Sequence, residues 1–240
     1  MSLTELKLTP VPRKPYGCPE ITTAWTYFGA THQSVSGLFD ALHVLRLKGQ
    51  QAKEETRGRL SADQQDLLRA ALVFTSSGLD ACLTRLLRDA LPVLVATDTA
   101  AEKQFKKWVS GRLDGTPGKV AGELREAILD RDPRDRLVEL YVKTISRPSL
   151  QATGDLRGVR DAMGITAARI SDDDVNALAS FFAARNEIAH ELDLVDPAGP
   201  GTPSRRQRAL EAVRSQCDDV LGFVAAIIRA TATTIRAARP

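Results

Sequence analysis

The chain has little of what builds sheets, metal clusters or membrane spans. Only 5% of its residues are aromatic, and no segment alternates apolar and polar residues in the period of two that a half-buried strand requires. That leaves an all-α architecture. Its three cysteines, Cys18, Cys82 and Cys217, are odd in number, far apart and at no metal-ligand or redox spacing, so they read as reduced thiols. No uninterrupted run approaches the roughly 18 apolar residues of a membrane span. Met1-Ser2-Leu3-Thr4-Glu5 also lacks the basic and then apolar regions of a secretory signal, so a cytoplasmic location with no membrane partner is expected. An excess of either charge is nearly absent as well: 33 Lys and Arg against 30 Asp and Glu leave a net charge of +3 and a pI near 8.8. Such a balance permits a nucleic-acid partner without demanding one, because phosphate affinity follows local clusters of Lys and Arg.

What the chain does have suits packed helices. Hydrophobic residues make up 43% and charged residues 26% of 240 positions, dominated by Ala, Leu, Arg and Asp, and no internal repeat is evident. The length suffices for a full core and favours one domain. Pro10, Pro12, Pro15 and Pro19 remove backbone donors from the start of the chain, so residues 1–20 read as an extended arm and 21–240 as a single helical domain. Trp25, Phe28, Val35, Leu38, Phe39, Leu42 and Leu45 recur at helical spacing, predicting a first helix over 21–55. Ser61-Ala62-Asp63-Gln64 has the form of a capping box, predicting a second helix that ends at Ala90, just before Pro92. Glycines and prolines break the middle into shorter helices at 102–113, 119–129, 134–145 and 156–163. Ser171-Asp172-Asp173-Asp174 opens the next helix, its carboxylates favouring the positive helix end. Ser204, with Gln207 in the capping-box position, is expected to open a last helix reaching Ala237.

The helix begun at Ser171 carries the chemistry, within Phe181-Phe182-Ala183-Ala184-Arg185-Asn186-Glu187-Ile188-Ala189-His190-Glu191. At about 100° per residue, Ala177, Leu178, Phe181, Phe182, Ala184, Ile188, Ala189 and Leu192 cover a broad apolar arc, and Arg185 falls inside it. A guanidinium there requires an acidic partner, for which Asp80 is the candidate, or a ligand phosphate, or a solvated cleft. Asn186 and His190, four apart, stack on the neighbouring edge beside Ala179 and Ala183, where small residues leave room for another helix or an RNA strand. Together Arg185, Asn186 and His190 can hold a phosphate and move a proton.

Arg185-Asn186-Glu187-Ile188-Ala189-His190 resembles the signature of the HEPN domains, an Arg often followed by a polar residue, with a His four to six positions after the Arg. The context looks most like the RiboL-PSP-HEPN branch, and Ala71-Leu72-Val73-Phe74-Thr75-Ser76-Ser77-Gly78-Leu79-Asp80 is similar to that branch's N-terminal helix. The resemblance covers roughly residues 65–195 and is weak in the middle. It implies a HEPN-like helical bundle and a metal-independent endoribonuclease without cofactors, in which the motif helices of a homodimer face one another across a composite site. His190 would then serve as acid and base, Arg185 would stabilise the charged phosphorane, and Asn186 would orient His190 or hold a phosphate oxygen. Glu187, Glu191 and Asp80 would support them. Toxins and antiviral or stress effectors held in check by an inhibitory or activating protein partner are the biological setting it suggests. The alternative is a non-catalytic HEPN-like dimerisation or RNA-binding module. One branch of the family carries a partner-modified tyrosine where Leu192 stands, so that scheme does not transfer.

Three other features complete the reading. Arg205, Arg206 and Arg208 sit where the last helix is expected to begin, at the end its dipole makes unfavourable for cations, which makes them candidates for RNA contact. Asp172–Asp174 reads as a cap rather than a metal site, since consecutive carboxylates on a helix point different ways. Gly115-Thr116-Pro117-Gly118-Lys119-Val120 lacks the first glycine and the Ser or Thr of a phosphate loop, which excludes nucleotide hydrolysis there.

Overall fold

A computed structural model describes residues 6–51, 60–115, 122–147, 149–196, 198–199 and 204–239. These form nine α-helices, α1 (Thr22–Gln51), α2 (Ala62–Thr97), α3 (Thr99–Leu113), α4 (Gly122–Ile128), α5 (Pro133–Ser146), α6 (Thr153–Ala162), α7 (Asp172–Asn176), α8 (Ala179–Glu191) and α9 (Leu210–Ala238). The fold is all-α. Among the described residues the one extended pairing is an isolated antiparallel bridge between Leu194 and Arg205.

Helix α2 is the axis of the bundle, packed by α1, α9, α5, α8 and α3. Its start follows from local chemistry: the Ser61 hydroxyl accepts from Gln64 N (3.3 Å) while Ser61 N donates to Gln64 Oε1 (2.9 Å), the expected capping box. Its end does not stop at Ala90. The helix runs through Pro92 to Thr97, because Leu91, Leu94 and Val95 are buried and their packing outweighs the hydrogen bond that proline removes. Pro92 and Arg88 are exposed, so water can satisfy the freed carbonyl. Asp98 then closes α2 through Asp98 N to Leu94 O (2.7 Å) and opens α3 by accepting from Ala101 N (2.8 Å).

Helix α1 buries Ala24, Phe28, Val35, Phe39 and Leu42 against α2. Its expected end at Glu55 lies outside the described residues. The two helices approach closely where Gly78 faces Thr31; a β-carbon at Gly78 would lie 2.1 Å from Thr31 Cγ2, so this position needs glycine. By length and composition α2 and α9 are also apolar enough to cross a membrane, something a search for uninterrupted apolar runs misses. In this fold more than half of each apolar window is buried, which is what core helices require.

Two boundaries differ from the sequence expectation near the motif. The helix start expected at Ser171 forms, as a capping box with Asp174 N donating to Ser171 Oγ (3.1 Å), but it opens only the five residues of α7. The Ser171 hydroxyl and amide hold the Asp174 carboxyl below its ordinary value. The cap's stabilisation is thus fully present above the usual carboxylate range and lost as pH falls through the lowered pKa. Val175 and Leu178 are both buried, and the chain turns between them through a Leu178 N to Val175 O bond (3.2 Å) before α8 begins at Ala179. Helix α9 likewise starts at Leu210 rather than Ser204. Residues 204–209 stay extended because their backbone groups are taken elsewhere: Ser204 O accepts from Val195 N (2.8 Å), Arg206 N donates to Asp193 O (2.8 Å) and Arg208 N donates to Gln65 Oε1 (2.9 Å).

The proline-rich arm is bound rather than free. Leu8 is buried, Thr9 N and Oγ1 donate to the Asp218 carboxylate on α9 (both 2.8 Å), and His32 Nε2 lies 2.8 Å from Thr9 O. His32 is thus an arm-holding residue.

Candidate functional site

Helix α8 presents the motif from one edge. Phe181, Phe182 and Ala184 are buried against the core, Ile188 is half-buried, and Ala179, Ala183, Asn186 and His190 line the solvent side at helical spacing. The apolar arc is therefore narrower than the sequence suggests: Ala177 and Ala189 are exposed, and Leu192 has left the helix and is 64% exposed. Arg185 lies at the boundary. It is half-buried, its Nη1 donates to Asn186 Oδ1 (3.1 Å), and its Nε is buried without an acceptor. No ion pair to Arg185 forms among the described residues, and the expected partner Asp80 instead accepts from Leu150 N (3.0 Å). The His190 imidazole makes no hydrogen bond or ion pair among the described residues. The arrangement is a guanidinium with an unpaired donor, an amide fixed beside it, and an imidazole open to an incoming group.

Glu187, Glu191 and the three late arginines do something the sequence did not announce. Arg208 donates to Glu187 Oε2 (2.6 Å) and to both oxygens of Asp193, while Arg206 donates to Leu194 O (2.6 Å) and reaches Glu191 (3.5 Å) and Glu187 (3.7 Å). Arg205 pairs with Asp66 (3.0 Å). The centre of this network is Asp193, whose side chain is fully buried and also accepts from Arg69 Nε (2.8 Å). Arg69 in turn bonds Asp66 (2.9 Å) and Arg206 O (2.8 Å). Four arginines thus meet four carboxylates beneath the C-terminal end of α8. Burial alone would lower the Arg208 pKa, but hydrogen bonds and charge from Asp193 and Glu187 outweigh it and leave the guanidinium above its ordinary value. Arg208 is therefore held in internal pairs and Arg206 in partly buried ones, while Arg205 pairs with Asp66 at the surface, and Glu187 and Glu191 face Arg206 and Arg208.

Asp193 and Arg69 are the residues sequence reasoning missed. Arg69 left a signal, being a charge beside Leu68 on the buried side of a helix. Asp193 left little, since it follows the motif as a single acidic residue among Leu192, Leu194 and Val195. Both Leu192 and Asp193 adopt positive φ, 52° and 60°, and Asp193 N closes the helix on Glu187 O (3.0 Å). A left-handed Leu costs about 1 kcal/mol, and this one is largely exposed. Leu192→Gly is expected to raise stability by about 1 kcal/mol, seen as a higher denaturation midpoint at unchanged slope; a lower midpoint would mean its side-chain contacts outweigh the strain.

Among the described residues no group of three or more His, Cys, Asp or Glu is placed to hold a metal. Asp172 accepts from Arg160 (2.7 Å) and Asp174 caps α7. The three cysteines are buried and unpaired, and burial pushes the Cys82 and Cys217 thiols up to about 12.

No family model, curated protein or solved structure matches this chain.

Proposed function

We propose that the protein is a metal-independent endoribonuclease of HEPN type, working as a homodimer whose two motif helices share one cleft. The observation that carries the reading is the solvent edge of α8, where, among the described residues, Asn186 and an unpaired His190 lie beside a guanidinium that has a buried free donor and no ion pair. RNA cleavage by its own 2′-hydroxyl forms a bond from O2′ to phosphorus and breaks the bond from phosphorus to O5′. It needs a base for the first oxygen, an acid for the second and positive charge on the phosphorane. One imidazole cannot easily be both at once, so two copies of His190 from twofold-related chains would divide the roles, with Arg185 on the phosphorane oxygens. A toxin, antiviral or stress effector under control of a protein partner is the setting that fits such an activity.

The competing reading is a non-catalytic dimerisation or RNA-binding module. It is favoured by the engagement of Glu187 and Glu191 with arginines, which leaves neither of these two carboxylates free to orient the His190 ring. Purified protein incubated with RNA in excess EDTA is expected to leave 2′,3′-cyclic phosphate and 5′-hydroxyl ends. A strict magnesium requirement, or no cleavage of any RNA by a folded protein, would reject the enzyme.

A further inference from the structure

A second site lies away from the motif, in the subdomain made by α3, α4 and α5. A cavity of about 280 Å³ opens there, walled by Trp108 and Arg112 of α3, Glu123 of α4, and Lys143, Thr144 and Arg147 at the end of α5. It continues past Glu123, Lys143 and Arg147 to Arg88 and Pro92 of α2. No residue of α8 lines either part.

The charges in the smaller cavity do not balance. Lys143 is paired with Glu123 at 2.8 Å. Among the described residues Arg147 has no ion pair, and Arg112 meets no carboxylate but lies over the Trp108 ring, 5.4 Å from its centroid. Among the described lining residues three cations thus share the single carboxylate of Glu123, on which Arg147 acts electrostatically as well as Lys143, leaving an excess of two positive charges. A carboxylate would match only one of them, whereas a phosphomonoester carries about −1.5 to −2 at neutral pH and three acceptor oxygens. One wall residue is aromatic in a chain with few aromatics: Trp108, which packs on the buried Tyr141 (5.1 Å), itself packed on the buried Phe105 (5.6 Å). A guanidinium stacked on an indole is a platform on which a nucleobase can lie.

We propose that this cavity binds a phosphate-bearing nucleotide, with Arg112, Arg147 and Lys143 on the phosphate and the Trp108 side on the base. The ligand is either a free mononucleotide or the phosphorylated end of an RNA, and the site does not depend on the ribonuclease reading. In a Trp25→Phe chain Trp108 is the single tryptophan. Titration of that protein with 5′-AMP is expected to change its fluorescence saturably, and calorimetry on the unaltered protein should give the same dissociation constant. Adenosine should bind at least tenfold more weakly, as should 5′-AMP to the Arg112→Gln, Arg147→Gln double variant, whose melting curve checks that it folds. A 5′-phosphorylated oligoribonucleotide that binds where 5′-AMP does not identifies a chain end; the reverse identifies a free nucleotide. The proposal is overturned if neither probe binds at millimolar concentration, if adenosine binds as well as 5′-AMP, or if inorganic phosphate binds as well as both.

Discussion

A random one-to-one mixture of wild-type and His190→Ala chains is expected to retain about a quarter of the wild-type rate, because only a quarter or so of its dimers carry two imidazoles. The His190→Ala homodimer should lose on the order of 10²- to 10⁴-fold, the range over which a positioned acid or base acts. The mixing experiment is the sharper of the two. Activity that stays at about half would mean each chain works alone, with His190 finding its proton-transfer partner in its own protomer. The imidazole makes no bond among the described residues and sits on an edge of small side chains, so its removal should disturb the fold little. Circular dichroism and the melting curve verify that. Arg185→Lys tests the same cleft, since a point charge cannot reproduce the guanidinium fork on phosphate oxygens.

The largest expected loss of stability is at Asp193. Its carboxylate is completely buried between Arg69, whose side chain is 9% exposed, and Arg208, 15% exposed. Asp193→Ala removes the buried partner of both guanidiniums, leaving Arg69 to Asp66 and Arg208 to Glu187, which are more exposed, and breaking a buried pair from one side costs about 3–5 kcal/mol. The consequence is structural beyond the pair. The same residue closes α8 through its N–H and holds the extended 204–209 segment through its carbonyl, so the motif helix and the lead-in to α9 should loosen together. Asp66→Ala supplies the comparison: this carboxylate touches Arg69 and Arg205 but is 54% exposed, and a solvated pair is worth about 0–1 kcal/mol. Urea denaturation of both variants distinguishes the cases. If Asp193→Ala costs no more than Asp66→Ala, the buried network is not what fastens the end of α8.

The network also accounts for what became of the late arginines. A sequence with Arg205, Arg206 and Arg208 near a helix start reads as a phosphate-binding patch, because the charges are visible and their partners are not. Asp193 lies 124 residues from Arg69 and 15 from Arg208, and no local pattern brings them together. The remaining signal, an arginine on the buried side of α2, shows that a counter-ion must exist without naming it.

The sequence by itself determined the helical class, the capping box at Ser61, the helix start at Ser171, and the spacing that stacks Asn186 and His190 on one edge. Each depends on residues within about four positions of one another, where the geometry of a single turn decides. Only the tertiary structure decided that α2 continues past Pro92, that α7 and α8 are separate, that α9 waits until Leu210 and that Asp193 gathers the arginines. At each of these places buried side chains or distant hydrogen-bond partners outweigh a local preference worth a few kcal/mol at most.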